Sequence, residues 1–239
     1  MDNREYFKKG IEGIGLLADD KLVEKFETYK SLLLEWNEKI NLTAITDEKE
    51  IYIKHFVDSL SCICSGVIKS DSRIIDVGTG AGFPGLPLKI YDESLRLTLL
   101  DSLRKRINFL ESVCTQIGLG GVEFVHSRAE DAGADKNYRE KYDVAVSRAV
   151  ASLNVLLEYC TPFIKKGGYF VCQKGPAADE ELAAAAKAMK ELGIVLEEKL
   201  SIKLPFTDIN HYVLVFRKVS NTPSKYPRKA GLPSKKPII

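Results

Sequence analysis

At 239 residues, 45% hydrophobic and 28% charged, the chain has the profile of a globular protein with one main core and an added segment. No apolar run reaches the length of a membrane span, and the charged stretch Met1 to Gly10 lacks a signal-peptide core, so a cytoplasmic location is expected. The formal net charge is +2, yet Arg217 to Ile239 holds seven basic residues and no acidic one, which suggests either a phosphate-rich partner for this end or a solvated tail.

Helical periodicity dominates the first 70 residues. Leu22, Phe26, Tyr29, Leu33 and Trp36 recur at spacings of three and four and mark one face of an amphipathic helix. Asp47 with Glu50 resembles a capping box, and a second helix is expected from Ile51 through Cys64. From Ser72 onward, short apolar runs alternate with helical stretches. The runs are Arg73 to Val77, Leu95 to Leu100, Val122 to Val125, Tyr142 to Val146 and Gly168 to Cys172, the pattern of a doubly wound parallel α/β sheet. After Leu95 to Leu100 a helix is expected over Ser102 to Ile117, and another over Asp179 to Leu192. Two last strands, Leu196 to Leu204 and His211 to Lys218, can pair antiparallel at the sheet edge. The expected organisation is an N-terminal helical extension (1–70), an α/β domain (71–219) and a basic, proline-bearing tail (220–239).

Five cysteines (Cys62, Cys64, Cys114, Cys160, Cys172) form no C-x-x-C pair, and the three histidines stand at no ligand spacing to them. They read as reduced core thiols, and no metal is expected.

The segment from Asp76 to Gly85, DVGTGAGFPG, follows the first strand and opens a helix, the place where such folds bind nucleotide-like ligands. Gly78, Gly80 and Gly82 let the backbone turn tightly and approach a ligand. A dinucleotide fingerprint would need a third glycine where Phe83 stands, and no Gly-Lys-Ser/Thr run exists for a triphosphate. An acidic residue followed by G-x-G-x-G resembles instead motif I of class I methyltransferases. Asp101, at the end of the second strand, is placed to accept hydrogen bonds from an adenosine ribose, or to cap the helix that follows.

The ordered set of motifs resembles the small-subunit ribosomal RNA guanine-N7 methyltransferases, also called the glucose-inhibited division protein B family, over nearly the whole chain. It comprises Trp36-Asn37 with Asn41-Leu42-Thr43, His55-x-x-Asp58-Ser59-Leu60, the glycine loop with Phe83-Pro84-Gly85, Asp101-Ser102 with Lys105-Arg106, Ala129-Glu130, Ser147-Arg148-Ala149, Lys174-Gly175, and Tyr226-Pro227-Arg228-Lys229 with Gly231. The resemblance implies a class I, Rossmann-like fold with a mostly parallel seven-stranded sheet and an N-terminal helical extension. It implies S-adenosylmethionine as cofactor, held at Gly78, Phe83, Ala129, Glu130 and Arg148, beside Gly80, Gly82 and Asp101, which the loop and strand-end positions already nominate. It also implies 16S ribosomal RNA as substrate, within an assembled small subunit; a monomer is expected. Lys174, Lys225, Arg228, Lys229, Lys235 and Lys236 are the candidate RNA contacts. For Glu130 the other reading is a solvated helix start, and for Arg148 a salt bridge within the fold, with Asp76 as a partner. Thr79 stands where a small residue is expected.

His55, Asp58 and Ser59 fall on one helix within five positions and cannot converge as a hydrolase triad, whose members come from separated elements. His55 and Asp58 can pair across one turn, and Asn37 and Asn41 can cap neighbouring loops. Guanine N7 carries a lone pair and no proton, so no acid or base is nominated, and Arg148 is the expected organiser of the site. The competing readings are a methyltransferase acting on another RNA, a small molecule or a protein, and a cofactor-binding RNA-binding protein without catalysis.

Overall fold

The computed structural model describes residues 1–148 and 151–239; Ala149 of the Ser147-Arg148-Ala149 motif lies outside them. Strands β1 (Arg73–Val77), β2 (Arg96–Asp101), β3 (Val122–His126), β4 (Tyr142–Arg148), β5 (Ile164–Lys174), β6 (Ile194–Lys203) and β7 (Asn210–Lys218) form one sheet in the order β3-β2-β1-β4-β5-β7-β6. The pairs within β1 to β5 are parallel, whereas β7 runs antiparallel to both β5 and β6. Ile74, Ile75, Val77, Leu99, Leu100, Val144 and Val146 are all buried, as a parallel sheet covered on both faces requires. The chain winds from β1 to β2 and β3 on one side, then returns to β4 and β5 on the other. The crevice this reversal opens lies at the carboxyl ends of β1 and β4.

The helical extension does not stand apart from the sheet. It consists of α1 (Asn3–Gly13), α2 (Asp20–Ile40) and a near-continuous helix made of α3 (Glu48–Glu50), a π-helical stretch Ile51–Val57, α4 (Asp58–Leu60) and a 3₁₀ turn Ser61–Ser65. Asp19 Oδ1 accepts from Leu22 N (2.7 Å) and Asp47 Oδ1 from Glu50 N (3.0 Å), so acidic side chains satisfy otherwise orphaned amides at two helix starts. Phe7, Phe26, Tyr29, Tyr52 and Phe56 pack ring against ring and continue into the core under α5 (Gly85–Tyr91) and α6 (Arg104–Gln116). Extension and sheet therefore share one hydrophobic core. The spacing predicts a regular helix over Ile51 to Cys64; the π-helical stretch that fills its first half is the kind of irregularity that accompanies functional sites.

The opposite face carries α7 (Ala129–Ala134), α8 (Leu153–Cys160), α9 (Ala178–Ala184) and α10 (Ala186–Leu192), the last two replacing the single helix expected over Asp179 to Leu192. The tail lies on this face and ends in a short helix, α11 (Leu232–Lys235). Thr222, Tyr226, Pro233 and Ile238 are buried there. Arg139 donates to the carbonyls of Thr222 (2.8 Å) and Tyr226 (2.7 Å), and Arg228 is clamped to Glu158. Four of the cysteines are buried thiols, as expected, but Cys64 is exposed because the 3₁₀ turn carries it to the surface. Among the described residues, no group of three or more His, Cys, Asp or Glu side chains could hold a metal ion, and no helix is long and apolar enough to cross a membrane.

Candidate active site

The crevice opens into a cavity of ≈ 500 Å³, lined by the glycine loop, Asp101, residues 127 to 130 and Arg148, with Leu42, Thr43 and His55 contributed by the extension. Its floor follows from the local sequence. Gly78 (φ +72°) and Gly80 (φ +61°) adopt left-handed backbone, and the amides of Gly78 and Thr79 donate to Leu100 O at 2.9 and 3.0 Å, which ties the loop to the end of β2. A Cβ on Gly80 would meet only Gly78 O at 3.9 Å, so the space in front of this residue is free for a guest.

Gly82 does something else. A Cβ there would strike the Tyr29 hydroxyl and Leu110 (2.8 Å), and Gly82 is not among the cavity-lining residues. Its φ of +102° and missing side chain let α2 and α6 close on the loop, where Tyr29 donates to Ala81 O, so this glycine has a packing role whatever its backbone offers a cofactor. Gly85 similarly lets Asp76 pack beneath the loop. Asp76 Oδ2 accepts from Gly85 N and from Thr79 Oγ1, both at 2.8 Å, while Oδ1 has no partner among the described residues. That bond gives Thr79 its reason. Burial pushes the Asp76 carboxyl up to about 7, against the pull of these donors and of Arg148.

Asp101 is buried and already engaged. Its Oδ1 accepts from Leu103 N (2.8 Å), and its Oδ2 from Gly80 N (2.9 Å) and from Arg106 Nη1 (3.3 Å). The two readings of this residue coexist: it braces the start of α6 and the glycine loop, and it faces the cavity. A carboxylate offers about four lone-pair positions, so one remains free, and a second opens if the partly exposed Arg106 swings away. Across the cleft, Ala129 and the buried Glu130 begin α7, and Glu130 Oε1 accepts from Gly231 N of the tail at 2.7 Å. Glu130 is thus neither a solvated helix start nor a free carboxylate.

Arg148 ends β4 and pairs with Asp58 (Nη1 to Oδ2, 2.7 Å), not with Asp76, which is turned under the glycine loop. It also donates to Lys54 O (3.2 Å) within the π-helical stretch, and its guanidinium lies 4.7 Å from the centre of the Phe83 ring. His55 stacks on the other partner of this cluster, with ring centres 4.7 Å apart from Phe83 at an interplanar angle of 20°. Burial and the adjacent guanidinium lower the His55 pKa to about 4. Asp58 feels burial pushing its carboxyl up, but His211, with Nδ1 3.0 Å away, and Arg148 more than offset it and hold the group below the usual range. His55 and Asp58 do not pair across the turn; Arg148 stands between them.

The candidate RNA contacts divide. Lys174 is buried, donating to Glu181 Oε2 and Ala151 O at 2.8 Å each, and Arg228 is bound to Glu158 through Nε and Nη2. Both therefore have structural partners. Lys225 is exposed and lies 3.3 Å from Glu191. Lys229, Lys235 and Lys236 are exposed, and no ion pair engages them among the described residues. Ser234, between these lysines, lines the cavity and bonds Tyr159 Oη at 2.7 Å, so the tail reaches the rim of the site. Sequence reasoning had singled out neither Tyr159 nor Ser234, nor Arg106 or Arg128 as lining residues; the partners lie too far apart in sequence to signal one another.

A family model described as rRNA small subunit methyltransferase G (GidB) matches residues 22–207. The chain belongs to this family. A ribosomal RNA small subunit methyltransferase G of Alkaliphilus oremlandii is 60% identical over 238 residues, covering 100% of both chains. That of Thermoanaerobacter sp. is 50% identical over 234 residues, covering 98% of each. Among solved structures, TrmN from Thermus thermophilus has a TM-score of 0.53 at 15% identity, covering 68% of this chain and 48% of that one. M. jannaschii TYW2 in complex with AdoMet has a TM-score of 0.51 at 15% identity over 67% of this chain and 75% of that one. These structural likenesses confirm the class I methyltransferase fold expected from the sequence. The family match reaches back to residue 22, into the extension that furnishes Thr43 and His55 to the cavity.

Proposed function

We propose that this chain is an S-adenosylmethionine-dependent methyltransferase acting on the N7 of a guanine in 16S ribosomal RNA of the small subunit, as a monomer in the cytoplasm. The observation that carries the reading is the cavity at the β1/β4 crevice. It has a glycine-lined floor and a buried carboxylate at one end, in a chain whose full length aligns with small-subunit rRNA methyltransferases. The donor set fits the cofactor: Asp101 retains acceptor capacity for a ribose hydroxyl, and the open space before Gly80 admits a close backbone approach. Ala129, with the backbone beside it, edges the position of the adenine.

When bound, the cofactor supplies an electrophilic methyl group on a sulfonium. The chain's own task is placement. Guanine N7 attacks with its lone pair and releases no proton, so the residues around it need only hold the base in line and exclude water, which in the best cases contributes roughly 7–11 kcal/mol. Arg148, fixed by Asp58 and by the Phe83 ring, supports the wall of the cavity on the β4 side. Exposed Lys229, Lys235 and Lys236 beside the rim suit the phosphate backbone of a target whose base must leave its stack to enter.

The test is methyl transfer from labelled cofactor to purified small subunits, followed by nucleoside digestion. Label in 7-methylguanosine is expected. Label in another nucleoside, in a protein or in a small molecule, or binding of cofactor and RNA without transfer, would overturn the reading.

A further inference from the structure

Thr43 lies in the loop between α2 and α3, on the wall of the cavity that the extension contributes. Its backbone is fixed, because Asn37 Oδ1 accepts from both Leu42 N (2.7 Å) and Thr43 N (2.8 Å). The Thr43 Oγ1 accepts from Ile45 N at 3.0 Å and sits 2.7 Å from His55 Nε2. Which of these last two atoms donates is decided at the far side of the imidazole. His55 Nδ1 lies 3.2 Å from Arg148 Nη2, and a guanidinium has donors and no acceptor. Nδ1 must then carry the lone pair, and a neutral ring with Nδ1 accepting keeps its proton on Nε2.

His55 consequently donates to Thr43. With Ile45 N as the second donor, both lone pairs of the Thr43 hydroxyl are used, and its own proton is left to find an acceptor. No bond in which Thr43 Oγ1 donates to a protein group is found among the described residues. Thr43 lines the cavity with its hydroxyl an obligate donor, and Arg148, itself locked to Asp58, enforces that polarity.

The sheet order says which guest meets it. Asp101 and residues 127 to 130 follow β2 and β3, on one side of the glycine loop, whereas Arg148 and the His55–Thr43 pair stand on the β4 side. The nucleoside of the cofactor belongs to the first side, which leaves the second for the reacting base. A guanine turned so that N7 can attack shows O6, a second acceptor, beside it, and adenine shows an amino donor at the same place. A donor on O6 orients the ring without occupying the N7 lone pair.

We propose that the Thr43 hydroxyl, polarised by His55 and Arg148, is a specificity-determining donor to O6 of the target guanine. This inference rests on the methyltransferase reading and deepens it. Thr43 is a positioning residue for the base, with no part in proton transfer.

The experiment compares wild type, Thr43→Val and Thr43→Ser on reconstituted small subunits carrying either guanine or 2-aminopurine, which lacks O6, at the methylated position. Wild type is expected to lose about ten- to hundredfold in kcat/KM on 2-aminopurine, the cost of one hydrogen bond that leaves its partner unpaired. Thr43→Val should lose a similar factor on guanine and little more on 2-aminopurine. Thr43→Ser should stay close to wild type. Calorimetry should give all three the same cofactor affinity. Equal wild-type rates on the two bases would overturn the proposal even if Thr43→Val does not fold. So would additive losses in Thr43→Val, or a loss confined to cofactor binding. In either case 7-methylguanosine still forms with wild type, so the broader reading survives; its absence from wild-type digests removes both.

Discussion

Replacing Arg228 by Met should destabilise the fold far more than it weakens RNA binding. Glu158, on α8, has a side chain only 1% exposed, and its two oxygens receive the Arg228 main-chain N (2.8 Å), Nε (2.9 and 3.1 Å) and Nη2 (2.5 Å). Nη1 adds a bond to Lys236 O at 2.8 Å, which ties two points of the tail together. Removing the guanidinium leaves a buried carboxylate with one amide donor. Breaking a buried pair from one side costs about 3–5 kcal/mol. Arg228 itself is 23% exposed, so water can reach part of the gap and the lower figure applies. At about 2–4 °C per kcal/mol for a chain of this size, the melting temperature should fall by roughly 6–12 °C. Replacing both partners, Glu158→Leu with Arg228→Met, should recover much of the loss, because no uncompensated charge then remains. Thermal and urea unfolding of the single and double variants measure this. An unchanged melt, together with a salt slope of RNA affinity lowered by about 0.7–0.9, would show that Arg228 serves a phosphate and that the clamp contributes little.

Other outcomes follow from the same geometry. Substituting Lys229, Lys235 and Lys236 together by Ala should leave the melt unchanged and lower the salt slope of small-subunit affinity by about 0.7–0.9 for each phosphate that no longer has a cation beside it; an unaltered slope would place the RNA surface elsewhere. Asp101→Asn should weaken cofactor binding about tenfold or more and also lower the melt, because one amide oxygen cannot replace two that accept from Gly80 N and Leu103 N; unchanged affinity by calorimetry removes Asp101 from the site. Gly80→Val and Gly82→Val should fail differently, the first losing cofactor binding in a protein that still has its core, the second failing to fold against Tyr29 and Leu110; equal stability of the two would undo this division. Asp76, raised to about 7, contributes stability that is full below pH 3.8 and lost as pH rises through 7, whereas His55, lowered to about 4, contributes stability that is full above pH 6.5 and lost as pH falls through 4. The two slopes oppose each other in wild type, so Asp76→Asn should uncover a rise in urea-unfolding stability between about pH 4 and 6.5, of at most about 1.4 kcal/mol per pH unit; a flat profile would refute the His55 assignment.

The sheet was legible because parallel strands buried on both faces must be runs of branched apolar residues; the first run, Arg73 to Val77, coincides with β1. The glycine loop was legible because only a few glycine spacings suit a nucleotide-like ligand, but the roles within it were not. Gly80 and Gly82 look alike in a motif, and what separates them is whether Tyr29, more than fifty residues upstream, or open space lies opposite. For Arg148 the alternative to organising the site is an ion pair within the fold, with Asp76 as a partner, since β1 and β4 are neighbours. Only packing shows that Asp76 bonds Gly85 beneath the loop while α4 brings Asp58 to Arg148. Charge counting misled most at the tail. Its cations resemble a uniform basic patch, yet the acids that hold Arg228 and Lys225, Glu158 and Glu191, sit 70 and 34 residues away.

The carboxylates at the cavity and beneath its floor are already committed within the fold. Asp101 is held by three donors, Glu130 by the tail amide, and Asp76 is sealed under the glycine loop. His55, the one imidazole on the wall, spends Nδ1 on Arg148 and its proton on Thr43. A reaction that required a proton to be removed would need one of these groups released in the encounter with substrate. A nucleophile that arrives with a free lone pair needs none of them, and then rigid commitment is an advantage, since it keeps the walls from rearranging and carries no reorganisation cost during the transfer. The extension fixes one wall through Asn37, Thr43 and His55, and the tail fixes another through Gly231 and Ser234. Extension and tail thus both contribute walls to the proposed site, where placement of base and cofactor is the one task that alkylation of guanine N7 sets.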